Sequence, residues 1–300
     1  MADQEGIQAR LNNIRSVEPI LGAMRTIALG SWQAALNRQA RVRRYSQRLG
    51  ELLLPVVDLL GSHRRRGHKP GRRSEPESGR IQAVVIGSER GLCGAFNSSL
   101  IQTVEAVLAR YAADGFDVQI AVLGSRVRRG LERGGHVLEW TRPLPMTTLP
   151  SSELAHELVH TWLRRYQDRE LDGVYVIYNS YKSSTVYEPI SVRLVPPPLP
   201  AWSDGALPGE AIPWPAPYID TDPVALYTRL IRLWTTTEMY RLLLDSAAAE
   251  HSARYQLMEG ATQNANRLID ELTLALQAAR QQAITSEMQE LAVGAGLLGT

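Results

Sequence analysis

Residues 222–298 read DPVALYTRLIRLWTTTEMYRLLLDSAAAEHSARYQLMEGATQNANRLIDELTLALQAARQQAITSEMQELAVGAGLL. Pro223 is the only proline in this stretch and Gly260 its only glycine before Gly294, so nothing in between forces a helix to stop. Asp222 offers an N-cap, and Pro223 suits the first helical position, where its missing N–H is not needed. At about 1.5 Å per residue, roughly 70–75 helical residues would extend on the order of 110 Å. That is several times the width of a small domain, so most of this helix needs a partner outside an ordinary core. Ile269, Leu272, Leu276, Ala279 and Ala283 keep the three-four spacing of a coiled-coil seam.

A matching stripe lies at the other end of the chain. Ile7, Leu11, Ile14, Val17 or Glu18, Leu21, Met24 and Ala28 alternate by threes and fours, and the pattern resumes through Trp32, Ala35, Leu49, Leu52, Val56 and Leu59. This spacing predicts one long amphipathic helix, or two, within residues 3–61. Pro19 interrupts it. A proline inside a helix costs about 3 kcal/mol and Gly22 adds about 1, which predicts a kink or a helix start between Ser16 and Gly22. Antiparallel pairing of the two terminal helices satisfies both seams.

Between the seams the hydrophobic period changes. SHRRRGHKPGRRSEPESG, residues 62–79, has no periodicity and reads as a loop or linker. From Arg80 onward, the short β-rich runs 81–87, 118–124 and 173–179 alternate with helical stretches near 97–113 and 152–168. Arg126 to Arg133 adds a short helix and Val186 to Leu194 a last strand. Residues 196–217, PPPLPAWSDGALPGEAIPWPAP, form a proline-rich crossover into the final helix. The expected fold class is therefore α/β. A long antiparallel coiled coil of N- and C-terminal helices, segments 3–61 and 218–298, carries an inserted α/β domain, residues 80–200, with a largely parallel sheet.

Composition limits the function. A length of 300 residues suits one or two domains, and a net charge of +2 does not by itself imply a nucleic-acid or membrane partner. The single cysteine, Cys93, excludes an internal disulfide or thiol-pair switch and fits a reducing compartment. The N-terminal residues lack the apolar core of a signal peptide, and no run reaches about 18 apolar residues, so a soluble cytoplasmic protein is expected.

Three stretches invite chemistry. HELVH, His156 to His160, places two histidines one helical turn apart around Glu157, the pattern of a zinc hydrolase. Its third ligand would have to come from Glu170 or Glu188. The competing reading buries Ala155, Leu158, Val159, Trp162 and Tyr166 and leaves both histidines solvated on the margin. GSERGLCGAFN, residues 87–97, sits between a strand and a helix, where phosphate loops sit. It lacks the Lys-Ser or Lys-Thr pair of a P-loop, and its glycines do not match the dinucleotide pattern. It reads as a tight connection with Asn97 near the helix cap and Cys93 as a buried structural thiol. Arg64, Arg65, Arg66, Arg72 and Arg73 form a charge run without the interleaved aromatics of a nucleic-acid surface.

GSERGLCGAFN together with AEHSARYQLMEGATQNANRLIDELTLALQAARQQAITSEMQELAVGAGLL resembles the γ subunit of F-type ATP synthases, and the likeness spans nearly the whole chain. It implies a non-catalytic central-stalk rotor that binds no nucleotide, cofactor or metal. Its expected partners are the α and β subunits of the hexamer, the ε subunit and the membrane c-ring, with the chain held peripherally at the cytoplasmic face of the membrane. By resemblance, Arg280 and Gln281 contact the surrounding hexamer, Thr285 and Glu290 face the N-terminal helix at Met24, and Asp220 meets the c-ring. The departures lie in the N-terminal helix: Pro19, Leu21 and Gly22 stand where the family commonly has Lys, Thr and Lys, and GSWQA, residues 30–34, replaces a basic tract. They imply a divergent member, from an alternative complex or a specialised paralogue. The readings set against the rotor are the zinc hydrolase and a coiled-coil scaffold unrelated to ATP synthesis.

Overall fold

The structure, a computed structural model, describes residues 2–64, 79–146, 148–197 and 219–294. The elements in chain order are α1 (Ala2–Arg64), β1 (Gly79–Ile86), α2 (Phe96–Ala113), β2 (Phe116–Leu123), α3 (Ser125–Arg133), β3 (Leu138–Arg142), α4 (Ser152–Gln167), β4 (Gly173–Ser183), β5 (Val186–Val195) and α5 (Pro223–Gly294). The arginine-rich run beyond Arg64 and the proline-rich crossover from residue 198 lie outside the described residues.

The C-terminal expectation is met by a single 72-residue helix. Asp222 caps it: its carboxylate accepts from Val224 N at 3.2 Å and Ala225 N at 3.0 Å. The N-terminal segment corrects the reading of Pro19, because α1 runs through that residue for 63 residues without a new start. Arg15, whose carbonyl loses its partner, and Pro19 are both exposed, so the freed oxygen faces solvent instead of a dry interior. The helix also continues over residues 62–64, which the sequence pattern assigns to the linker.

The chain divides into two compact units, cut between Leu29 and Gly30 and again between Ala253 and Arg254. In the unit formed by the two chain ends, Leu11 and Ala28 of α1 and Met258, Ala265 and Leu276 of α5 are buried. Arg25 Nη1 lies 2.8 Å from Glu259 Oε2. Ile269, Leu272, Ala279 and Ala283 are half-buried on a helix whose other positions are mostly exposed, as a two-helix seam requires.

The second unit holds the sheet, ordered β3-β2-β1-β4-β5. β1 pairs in parallel with β2 and β4, β2 with β3, and only β5 is antiparallel, returning along β4. Strand β3 escaped the sequence reading because LEWTR is short and lies at a sheet edge with no fully buried residue. One face of the sheet packs α4 and α5 through Val84, Val176, Trp162, Met239, Leu242 and Leu243. The other face packs α2 and α3 through Val85, Val122, Leu100, Val127 and Leu131. Burial on both faces explains why the strands read as continuous apolar runs.

Within this unit α1 and α5 run antiparallel. Gln39 Nε2 donates to Asp245 Oδ1 at 2.9 Å, Ser46 Oγ donates to Glu238, and Gly50 faces Trp234. Each step forward on α1 is matched by an equal step backward on α5. The step from Gln39 to Ser46 and from Asp245 to Glu238 is one heptad on both helices. Leu53, not Leu52, faces inward here: Leu53 is 1% exposed and Leu52 53%.

Candidate partner-contact sites

The glycine-rich loop is a packing clasp. Gly87 N donates to Leu123 O at 2.8 Å and Arg126 N to Ser88 O at 3.0 Å, tying the end of β1 to the end of β2 and the start of α3. Any side chain at Gly87 would collide with Val127, since a Cβ there falls 2.2 Å from Val127 Cγ2. Gly91 lies beneath the Arg126 guanidinium for the same reason. Gly87 and Gly91 thus admit the side chains of α3. Glu89 caps α3, accepting from Ser125 N at 3.1 Å, Ser125 Oγ at 2.5 Å and Leu144 N at 3.0 Å. Burial pushes its carboxyl up, but these bonds and Arg129 outweigh that and hold it below the usual value.

Asn97 lies near the cap, as expected, in the first turn of α2. Ala95 occupies the N-cap position of α2, and Asn97 sits inside the helix with its side chain turned back onto the loop. Its Oδ1 accepts from Ser88 N at 3.1 Å, and its Nδ2 donates to Ser88 Oγ at 2.8 Å and Cys93 Sγ at 3.3 Å. Cys93 is the expected buried thiol, packed with Phe96 and with Ala249 of α5. The mouth of the loop is therefore filled by its own side chains and covered by α5.

HELVH lies on α4. Ala155, Leu158, Val159 and Trp162 are buried, Tyr166 is half-buried, and His156 and His160 are exposed, their ring centroids 6.4 Å apart. Glu157 is engaged by Arg142 Nη1 at 2.6 Å, Glu170 by Arg165 and Glu188 by Lys182. Among the described residues no three metal-ligating side chains converge. The pattern of buried and exposed positions is that of an amphipathic helix.

A cluster that sequence reasoning missed joins three elements around Asp245, which is 4% exposed. Its Oδ2 accepts from Tyr178 Oη at 3.0 Å and Ser180 Oγ at 2.9 Å. Its Oδ1 accepts from Tyr181 N at 3.3 Å and from Gln39 Nε2 at 2.9 Å. One turn earlier on α5, Arg241 Nε donates to Glu238 Oε2 at 2.9 Å, and Glu238 in turn accepts from Ser46. Burial and the Asp245 charge push the Tyr178 phenol well above its ordinary value, so it remains a donor. Burial pulls Arg241 down, yet Glu238 more than compensates, and the guanidinium stays charged. The only sequence signal was an aspartate on the buried face of an apolar run, LLLDSAAA.

The family model described as ATP synthase matches residues 3–298. The chain belongs to the ATP synthase family. Curated relatives agree: it is 28% identical over 300 residues to the ATP synthase gamma chain of Rubrobacter xylanophilus, covering 99% of both chains. To that of Pelotomaculum thermopropionicum it is 29% identical over 298 residues, covering 99% of this chain and 100% of the relative. The fold resembles the rotor of the Euglena gracilis mitochondrial ATP synthase, with a TM-score of 0.60, 15% identity and coverage of 94% and 99%. It also resembles the central stalk and c-ring assembly of the Tetrahymena thermophila mitochondrial ATP synthase, with a TM-score of 0.56, 20% identity and coverage of 81% and 99%. As a gamma-chain member of the ATP synthase family it is a non-catalytic stalk subunit.

The residues singled out by resemblance are scattered. Arg280, Gln281, Thr285 and Glu290 are exposed along the last turns of α5, Thr285 Oγ1 donating to Gln281 O at 2.8 Å. Ile284, Met288, Leu291 and Val293 are also exposed there. Asp220 is exposed just before α5, and Met24 is half-buried on α1. Met24 does not face Thr285 and Glu290, contrary to the expectation. Its neighbour Arg25 pairs with Glu259, and the 26 residues from Glu259 to Thr285 extend about 39 Å along one continuous helix. The resemblance matched residue types, whereas the helix register decides which residues meet.

Proposed function

We propose that the chain turns as the central-stalk rotor of an F-type ATP synthase, coupling ion translocation through a membrane ring to ATP synthesis or hydrolysis in an α3β3 hexamer. The observation that carries this reading is the family match over residues 3–298 on a chain whose two terminal helices pair around an inserted, mostly parallel sheet domain. The segments divide the work. Residues 3–61 and 218–298 form the shaft, and residues 80–200 form the domain that meets the ε subunit and the c-ring, with Asp220 beside the ring. Arg280 and Gln281 contact the hexamer, with Met24, Thr285 and Glu290 as further partner-contact residues of the shaft, and the exposed apolar residues among the last turns of α5 give that end a surface to run against a surrounding bearing. An asymmetric shaft acts as a ligand with different affinity for each conformational state of the catalytic sites, presented in rotation. No described helix is long and apolar enough to cross a membrane; in the rotor reading the chain is held at the cytoplasmic face of the membrane by its partners.

Co-expression with α and β tests the reading. The chain is expected to co-purify with both and to show little ATPase activity alone. A monodisperse chain that never associates with the hexamer refutes it. In the assembled complex, Arg280→Ala with Gln281→Ala is expected to lower coupled ATP synthesis, and full coupling would leave the chain a scaffold.

A further inference from the structure

We propose that Asp245 is a rotational key, the positioning residue that locks α5 to the sheet so that torque passes between them; the inference rests on the rotor reading. The apolar contact between α5 and the sheet, through Met239, Leu242 and Leu243, holds the two together. Such contact is non-directional and sets no preferred angle beyond the fit of its side chains. Asp245 differs in kind. Its two oxygens accept from Tyr178, Ser180 and Tyr181 on β4 and from Gln39 on α1, four donors on two elements flanking α5.

Hydrogen bonds are directional and short, so they add resistance to rotation at one defined angle. A carboxylate sits about 5 Å from a helix axis, and turning α5 by about 20° would carry it nearly 2 Å, enough to break its bonds on one side. One heptad away, Ser46 of α1 donates to Glu238 of α5, a second directional contact between the two helices, and Arg241 on the next turn of α5 steadies the Glu238 carboxylate. The sheet, α1 and α5 therefore turn as one body at this level. A carboxylate suits the task because it offers lone pairs to all four donors, whereas an amide would aim an N–H₂ at two of them.

The experiment uses the assembled complex in sealed vesicles, reading ATP hydrolysis and the ATP-driven membrane potential together. Asp245→Asn and Asp245→Leu are expected to keep hydrolysis while the potential generated per ATP falls, uncoupled turnover rising about fivefold, the factor one hydrogen bond's net contribution carries. A purely structural role would reduce the amount of assembled complex and leave the potential per ATP unchanged. That unchanged ratio overturns the proposal. Ser180→Ala and Gln39→Leu each remove one donor and are read in the same way. Should the Asp245 variants fail to assemble, an unchanged ratio in both of these overturns it instead. Failure of the unmutated chain to join the hexamer counts against the rotor reading and is distinguishable at once.

Discussion

Trp162→Phe should destabilise the sheet unit through one buried hydrogen bond. Trp162 is 1% exposed on the inner face of α4, and its indole N–H donates to Gln82 Oε1 at 2.5 Å. Gln82 is fully buried in β1, and its amide donates onward to Glu139, which Arg165 Nη2 meets at 3.1 Å. Phenylalanine leaves Gln82 Oε1 without its donor, a cost of about 1–3 kcal/mol. It also leaves roughly 30–40 Å³ unfilled, about 0.7–1 kcal/mol at 24 cal/mol per Å³. The expected loss is about 2–4 kcal/mol, measured as a shift in the urea midpoint at constant slope. Gln82→Met separates the two contributions. In the double variant neither partner remains, so the unsatisfied-oxygen penalty disappears while the cavity stays, and the loss should be smaller than the sum of the singles by about 1–2 kcal/mol. Additive losses, or a Trp162→Phe cost below about 0.5 kcal/mol, would refute the reasoning.

Three further outcomes follow from the same geometry. Glu89 is held below the ordinary carboxylate range, so its contribution is present above the unfolded value and lost as pH falls through the lowered one; acid titrations of stability should be flatter for Glu89→Gln than for the parent chain below about pH 5, and parallel curves would contradict the cap. Gly124 has φ +103 and its Cβ would fall 2.8 Å from Gly87 O, so Gly124→Ala should cost about 2 kcal/mol or more, whereas Gly135→Ala, with φ +85 but open space, should cost about 1; thermal melts that rank the two in reverse would overturn this. Elemental analysis of the purified chain should find no stoichiometric zinc, and His156→Ala should change stability by less than about 0.5 kcal/mol, because the residue is an exposed helix position; bound zinc at one equivalent would restore the hydrolase reading.

The sequence by itself determined the long C-terminal helix, the helical character of the N-terminal segment, the parallel strands β1, β2 and β4 and the strand-to-helix position of the glycine-rich loop. These depend on periodicity, on the lack of breakers after Pro223 and on β-rich runs short enough to be strands, which are local properties written residue by residue. The buried stripe of α4 was legible for the same reason, with His156 and His160 left exposed beside it. What local pattern could not determine was which residues meet. Pro19 carries a fixed local penalty, yet tolerance depended on whether the freed carbonyl of Arg15 faced solvent, which only the packed helix decides. Likewise the position of Asn97 near the helix cap was legible, but its bonds to Ser88 and Cys93 were set by the fold. Met24 and Thr285 have matching residue types, but helix register separates them by about 39 Å. Asp245 is the clearest case: in sequence it is one acid among alanines and leucines, and its four donors come from positions 39, 178, 180 and 181, far away along the chain. Local free energies are set by neighbours in sequence and could be read there. The satisfaction of a buried charge is a non-local condition, and only tertiary structure brings its partners within reach.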